Sequence, residues 1–131
     1  GDSMLSVKTK VRNSEINGQG VFDAEDIPAG AVVWEYHPQF EHEISEEELL
    51  KLSEVQRIFW FHYGYYDLSR GCWQVSTDDS RFMNHANPAN TMDKGNFVYA
   101  IRAISAGEEI TCNYHEFYKP NPYQPWLGNL P

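Results

Sequence analysis

Arg81-Phe82-Met83-Asn84-His85-Ala86-Asn87-Pro88-Ala89-Asn90-Thr91, with the downstream Gly107-Glu108-Glu109-Ile110-Thr111-Cys112-Asn113-Tyr114, is the stretch from which the rest of the chain is read. The first segment crowds side-chain amides, an imidazole and a proline into a few positions. Asn competes for backbone hydrogen bonds outside helices and Pro cannot donate to a strand ladder, so the composition suits neither a helix interior nor a central strand. It predicts an ordered, hydrogen-bonded loop that either turns the chain or presents polar groups to a ligand.

Outward from there the chain reads as mostly β with a few short helices. Val7, Thr9 and Val11 alternate with Lys8, Lys10 and Arg12, the pattern of a half-buried strand. Residues 17–20 are a glycine turn, 21–24 a second strand, 27–30 a turn and 31–36 an apolar strand. Ser45-Glu46-Glu47-Glu48 has the form of a capping box, and the stripe of Leu49, Leu50, Leu52, Val55 and Ile58 predicts one helix from 45 to about 59. Residues 63–68 and 72–76, joined through Ser69-Arg70-Gly71, predict a hairpin. Residues 96–102 and 109–112 complete the strands, and the tail after Tyr114 is too rich in proline for a regular element. Its aromatic residues must tie it down if it is not to be mobile.

A length of 131 residues fits one domain with room for a core. Gly1-Asp2-Ser3 ahead of Met4 reads as a cloning remnant, which puts the domain at 4–119 and an aromatic, proline-rich tail at 120–131. The longest apolar runs, such as Ile58-Phe59-Trp60-Phe61, fall far short of the roughly 20 residues of a membrane span. No signal peptide is visible, and Cys72 and Cys112 make no metal pattern, so an intracellular, reduced setting is expected. A net charge of -9 argues against nucleic acid and for a basic partner, whose encounter such a field would speed. His37, His42, His62, His85 and His115 fall at no ligand spacing, and no metal is expected.

Arg81-Phe82-Met83-Asn84-His85 with Asn87-Pro88, then Gly107-Glu108-Glu109-Ile110-Thr111 and Tyr114, closely resembles the two signature segments of SET-domain protein lysine methyltransferases. Upstream, Asn17-Gly18-Gln19-Gly20-Val21-Phe22 and Asp26-Ile27-Pro28-Ala29-Gly30 resemble the family's first motif, in the right order. The resemblance runs from about Lys10 to Tyr114. It implies a β-clip-like fold of small sheets closed by a C-terminal pseudoknot, which breaks the usual rule that chains do not thread. It also implies methyl transfer from S-adenosylmethionine to a lysine of a protein substrate, releasing S-adenosylhomocysteine. The family's zinc-bearing cysteine segments are absent, and Ala86-Asn87 stands where many members have Ser-Cys.

Three demands follow from that chemistry. A cofactor cradle would use Gly18, Gln19, Gly20 and Val21, with Asn84 acting through its amide, His85 through its backbone, and Tyr114 and Trp126 closing it. A plain β-turn is the alternative for the glycines. A neutral amine needs an apolar channel, for which Tyr63, Tyr65, Tyr66, Cys112, Phe117 and Tyr118 are the candidates, with core packing as the alternative for each ring. Orientation at the methyl falls to Tyr114, the catalytic candidate. The tail is a candidate lid. Cys112, two before Tyr114, is small where many members carry an aromatic residue, which implies room for more than one methyl. The competing function is a catalytically weak module of the same fold that binds lysine-rich partners.

Overall fold

The computed structural model describes residues 5–131; Gly1-Asp2-Ser3 and Met4, read above as a remnant and a start, lie outside the described residues. The order is β1 (Thr9–Asn13), β2 (Gln19–Asp23), β3 (Val32–Glu35), β4 (Glu41–Ile44), α1 (Glu46–Leu49), α2 (Glu54–Tyr63), β5 (Tyr65–Asp67), β6 (Cys72–Ser76), β7 (Asn84–His85), β8 (Thr91–Asp93), β9 (Phe97–Ala100) and β10 (Glu109–Cys112). The strands form three small sheets, ordered β1-β2-β10-β7, β3-β9-β8 and β4-β6-β5. The mostly β expectation therefore holds, with the predicted hairpin present as β5 and β6 and its Gly71 at a φ of 67°. Among the described residues no helix is long and apolar enough to cross a membrane.

The arrangement of β10 has no local explanation. Its first half pairs antiparallel with β2, with Ile110 opposite Val21, and its second half pairs parallel with β7, with Cys112 opposite His85. Successive residues of a strand turn their N–H and C=O groups to opposite edges. The Ala86 N–H donates to the Cys112 carbonyl on one edge. On the other, the Thr111 N–H donates to Asn90 Oδ1 and the Thr91 hydroxyl donates to the Thr111 carbonyl at 2.6 Å. Residues 84–91 therefore straddle β10 and bond both its edges, which is the threaded packing that the resemblance implied.

One apolar core gathers Leu5, Val21, Ile27, Val33, Met83, Val98, Ile104 and Ile110 between the first two sheets. A second surrounds Trp73, which meets Phe61 and Tyr123 at ring-centroid distances of 5.4 and 6.4 Å. Here the proline-rich tail is fastened. Tyr123 stacks on Phe61 at 5.0 Å and 3°, Leu127 is buried, and Gln124 Nε2 donates to the carbonyls of Phe61 and Gly64 at 3.1 and 2.8 Å.

The single helix expected over 45–59 is two. Ser45 caps α1 by accepting the Glu48 N–H, but the reciprocal capping box belongs to Ser53 and Gln56, where Gln56 Oε1 also accepts the Ser53 N–H. A second strong N-cap with extended backbone restarts the helix. The predicted stripe consequently loses its common face: Leu49 is buried and Leu52 half-buried, whereas Leu50, Val55 and Ile58 are exposed.

Asp23 is 3% exposed, and both its carboxylate oxygens are buried without a partner among the described residues. Burial, then Glu108, Asp26 and Glu25, pushes its pKa from 3.8 up to about 7. An acid whose folded pKa is raised binds its proton more tightly when folded. Its favourable contribution is complete below the unfolded value of about 3.9 and is lost as pH climbs through the folded one. Relative to Asp23→Asn, the unmodified protein should therefore lose stability between about pH 4 and pH 7 and lag by a constant amount above it. Urea midpoints across this window provide the check, and a pH-independent difference would show that the carboxylate is not carried into the core.

Candidate active site

The glycine turn between β1 and β2 holds two glycines with different reasons. Gly18 has a φ of +47°, in the left-handed region that a Cβ disfavours, while the Ser14 N–H donates to its carbonyl at 2.8 Å. Gly20 has ordinary backbone but no room: a Cβ there would lie 2.3 Å from Glu109 Oε2 and 3.1 Å from Asn84 Nδ2. Gly20 thus puts its missing side chain to use within the protein itself. It clears space for Glu109 and Asn84, which lie against the inner side of the turn.

Asn84 is the hub. Its Nδ2 donates to the carbonyls of Asn17 and Gln19, both at 3.0 Å, and to Glu109 Oε2 at 2.9 Å. The other Glu109 oxygen accepts the Ser14 hydroxyl at 2.7 Å. With Nδ2 so committed, the amide oxygen is the end of Asn84 left for a ligand. His85 works differently. Its Nδ1 accepts the Tyr114 N–H at 3.1 Å, which places the ring proton on Nε2, buried and unpartnered among the described residues. Burial and the neighbouring His115 lower its pKa, so the ring is a neutral prop for Tyr114.

Two cavities meet at that tyrosine. A cleft of about 530 Å³ is lined by Gly18, Gln19, Phe82, Asn84, Tyr114, Trp126 and Leu130, among others. A narrower channel of about 90 Å³ is lined by Trp34, Tyr65, Asp93, Cys112, Tyr114, Phe117 and Tyr118, among others. His62, Tyr63, Arg81, Met83 and Tyr114 belong to both walls. The Tyr114 hydroxyl donates to the Met83 carbonyl at 2.6 Å, and its ring stacks on Tyr118 at 4.6 Å with Trp126 edge-on at 6.1 Å.

The cleft thus brings together Gly18, Gln19, Asn84, Tyr114 and Trp126 of the expected cradle, while the channel gathers Tyr63, Tyr65, Cys112, Phe117 and Tyr118. Four expected residues line neither cavity: Gly20, described above, Val21, His85 and Tyr66. The Val21 side chain is 0% exposed in the core opposite Val11, and the His85 side chain sits behind Tyr114, which leaves only its backbone, the part expected to act, for the cleft. Tyr66 packs on Trp73 with Lys119 over its ring, because neighbours on a strand face opposite ways and Tyr65 takes the channel side. Glu109, Asp93, Trp34 and Met83 were missed. Glu109 and Met83 adjoin the motif residues that drew attention, while Asp93 lies on β8, a strand too short for its alternation to show.

Burial, then Tyr118, Cys112 and Glu109, pushes the Tyr114 hydroxyl far above the usual phenol range. It stays protonated and can act as a neutral hydrogen-bond donor and dipole, not as a base. Burial likewise raises the Cys112 thiol and the Tyr118 phenol, so neither of these ionises readily in the channel. Among the described residues no group of three or more His, Cys, Asp or Glu could hold a metal ion.

A family model described as the SET domain matches residues 18–115. A histone-lysine N-methyltransferase of Candida albicans, H3 lysine-36 specific, is 29% identical over 119 residues, 82% of this chain but 14% of that protein. Among solved structures, a humanized mutant of the Chaetomium thermophilum Polycomb Repressive Complex 2 bound to an inhibitor is similar at 30% identity and a TM-score of 0.63. It covers 88% of this chain and 16% of that one. The ctPRC2 structure in an autoinhibited conformation bound to S-adenosylmethionine matches at 29% identity and a TM-score of 0.64, with the same coverage. The chain therefore spans about a sixth or less of the relatives it matches.

Gly20→Ala should destabilise the fold by about 1–3 kcal/mol, because the new methyl drives the Glu109 carboxylate off Asn84. Combining it with Glu109→Ala should cost clearly less than the sum of the two single changes. Additive unfolding free energies would show that Gly20 and Glu109 are not in contact.

Proposed function

The chain belongs to the SET-domain family, and on that premise we propose that it transfers a methyl group from S-adenosylmethionine to the side-chain amine of a lysine in a protein substrate. One observation carries this reading: Tyr114 is a shared wall of the polar cleft and the aromatic channel, so a cofactor and a lysine would approach each other across it.

The residues fit the cofactor. Gly18, Gln19 and the Asn84 amide oxygen offer the polar partners that an amino acid moiety requires, and Phe82 and Trp126 offer apolar and aromatic surface. When bound, S-adenosylmethionine supplies an electrophilic methyl on a sulfonium whose positive charge disfavours a protonated amine beside it. The chain's own part begins with the amine. Free lysine has a pKa of about 10.4, and bringing it to about 7 takes roughly 4–5 kcal/mol. Tyr65, Phe117 and Tyr118 strip water from the channel, which disfavours the charged form, while their ring faces tolerate the incoming cation. Tyr114, fixed by His85 at its backbone and by Met83 at its hydroxyl, orients the reacting groups at the junction. Trp126 and Leu130 make residues 120–131 a wall of the cleft, and we read this segment as the lid over the cofactor. Gln124 and Leu127 anchor it, so its removal would cost stability as well as affinity.

The net charge of -9 favours a basic protein partner, and the relatives' names support an intracellular, histone-like one. The small Cys112 beside Tyr114 supports more than one methyl per lysine.

Calorimetry should register S-adenosylmethionine binding to the unmodified protein, and mass spectrometry should register methyl groups on lysines of histone-tail peptides. Tyr114→Phe should lower kcat by about tenfold or more while leaving cofactor affinity within a few-fold, because it deletes only the orienting hydroxyl. Absence of binding heat would defeat the reading; binding without any methylated peptide would favour the weak binding module.

A further inference from the structure

We infer that Asp93 is the charged seat of the channel: its carboxylate meets the incoming lysine ammonium and makes the channel select a cation over a neutral side chain of equal length. This rests on the methyl-transfer reading for the identity of the guest, and on the channel itself for the chemistry.

Residues Thr91 and Asp93 share one face of β8, two apart on a strand. Thr91 is turned inward, where its hydroxyl donates to the Thr111 carbonyl, and Asp93 on the same face lines the channel with Tyr65, Cys112, Tyr114 and Tyr118. Among the described lining residues it is the only carboxylate. Arg81, the cation of that lining, is occupied with the Thr77 and Asp78 carbonyls and lies over the Phe82 ring. No Lys, Arg or His among the described residues makes an ion pair with Asp93. Its electrostatic surroundings are acidic instead. Burial first, offset in part by the Gly95 N–H, and then Glu116 and Asp67 push its pKa up to about 6, and the hydrogen bond it accepts comes from that backbone N–H and not from a cation. A carboxylate kept part-buried without a counter-ion is costly, and a guest cation would relieve that cost.

A purely structural use for Asp93 also exists. One of its oxygens accepts the Gly95 N–H at 2.7 Å, closing the turn between β8 and β9. Asn closes such a turn equally well, so the turn alone does not call for a charge. That difference separates the two uses: Asp93→Asn keeps the turn and removes the anion. The seat also has a kinetic consequence. An ion pair holds the proton on the amine, so the carboxylate favours capture and opposes the neutral amine that reacts. Asp93→Asn should therefore raise KM for a lysine peptide and leave kcat unchanged or higher, a split that simple loss of structure would not produce.

The direct test uses the side-chain analogue n-butylammonium chloride and its neutral counterpart 1-butanol, titrated at about pH 7.5, where the Asp93 carboxylate is ionised. Binding is followed by amide and aromatic NMR shifts. The unmodified protein should hold the ammonium at least about tenfold more tightly than the alcohol, as a charge-assisted hydrogen bond allows. In Asp93→Asn that preference should fall by about tenfold while alcohol affinity stays within about twofold. Equal ammonium affinity in the two proteins, a preference for the alcohol, or no ammonium binding at the highest soluble concentration would each overturn the inference. Calorimetry with S-adenosylmethionine keeps the readings apart. Loss of cofactor binding with intact Asp93-dependent capture would sink methyl transfer alone, and the reverse would sink the seat alone.

Discussion

The side-chain amide of Asn84 is the contact on which the rest of the site depends. Through one nitrogen it joins the glycine turn, 65 and 67 residues away in sequence, to the carboxylate of Glu109 on β10. Asn84 is itself buried and Glu109 half-buried, while Asn17 and Gln19 contribute the backbone carbonyls of an exposed turn; the bond to the Glu109 carboxylate is the strongest of the three. Because the amide nitrogen is saturated from within, Asn84 is fixed in one orientation before any ligand arrives. The Glu109 carboxylate in turn needs Gly20 to lack a side chain. Gly20, Asn84 and Glu109 therefore specify one another, although each belongs to a different signature segment.

The straddled strand extends this constraint to the chemistry. With residues 84–91 bonded to both edges of β10, the chain leaving Cys112 has little freedom, and Tyr114 follows two residues later. A short 3-10 turn over Tyr114–Glu116, capped by Asn113, then redirects the backbone. The His85 imidazole supports that turn from within by accepting the Tyr114 N–H. The result is a phenol held at its backbone and its hydroxyl, between a polar cleft and an aromatic channel. Such a group pays its ordering entropy during folding and not during the reaction.

The sequence made legible what depends on local chemistry. Gly18 is a turn glycine because its backbone is left-handed, the β5–β6 hairpin follows from its turn residues and aromatic strands, and β10 spans the four residues expected of it. What depended on distant partners could not be read. Gly20 belongs to a motif that the resemblance ties to the cofactor, and nothing in that motif reveals that the atoms nearest its missing side chain belong to Glu109, 89 positions away by number. Val21 was given to the cradle by its place in a motif, although strand alternation turns it into the core. The helix over 45–59 failed because two N-caps compete, and an apolar stripe cannot reveal that the second restarts the helix with its hydrophobic residues outward. β4 (Glu41-His42-Glu43-Ile44) and β8 (Thr91-Met92-Asp93) are short and mostly polar, so neither an apolar run nor an alternation marks them, and Asp93 lies on β8.

The aromatic residues show how a chain of this size builds both a site and its support. Tyr65 and Tyr66 are neighbours, yet one lines the channel and the other packs on Trp73, so a single strand joins the site to the second core. The tail repeats the device. Tyr123 stacks on Phe61, Gln124 ties the backbone to the end of α2, Trp126 turns to the cleft beside Tyr114, and Leu127 returns to the interior. Tyr65 and Trp126, which face the cavities, are thus each followed by a residue that packs elsewhere, Tyr66 and Leu127. Had the tail been fastened only by the rings that meet the ligand, its position would have depended on occupancy. Fastening it through Gln124 and Leu127, with Asn87 Nδ2 donating to the Pro131 carbonyl at its end, holds Trp126 against the cleft by contacts that do not involve a ligand.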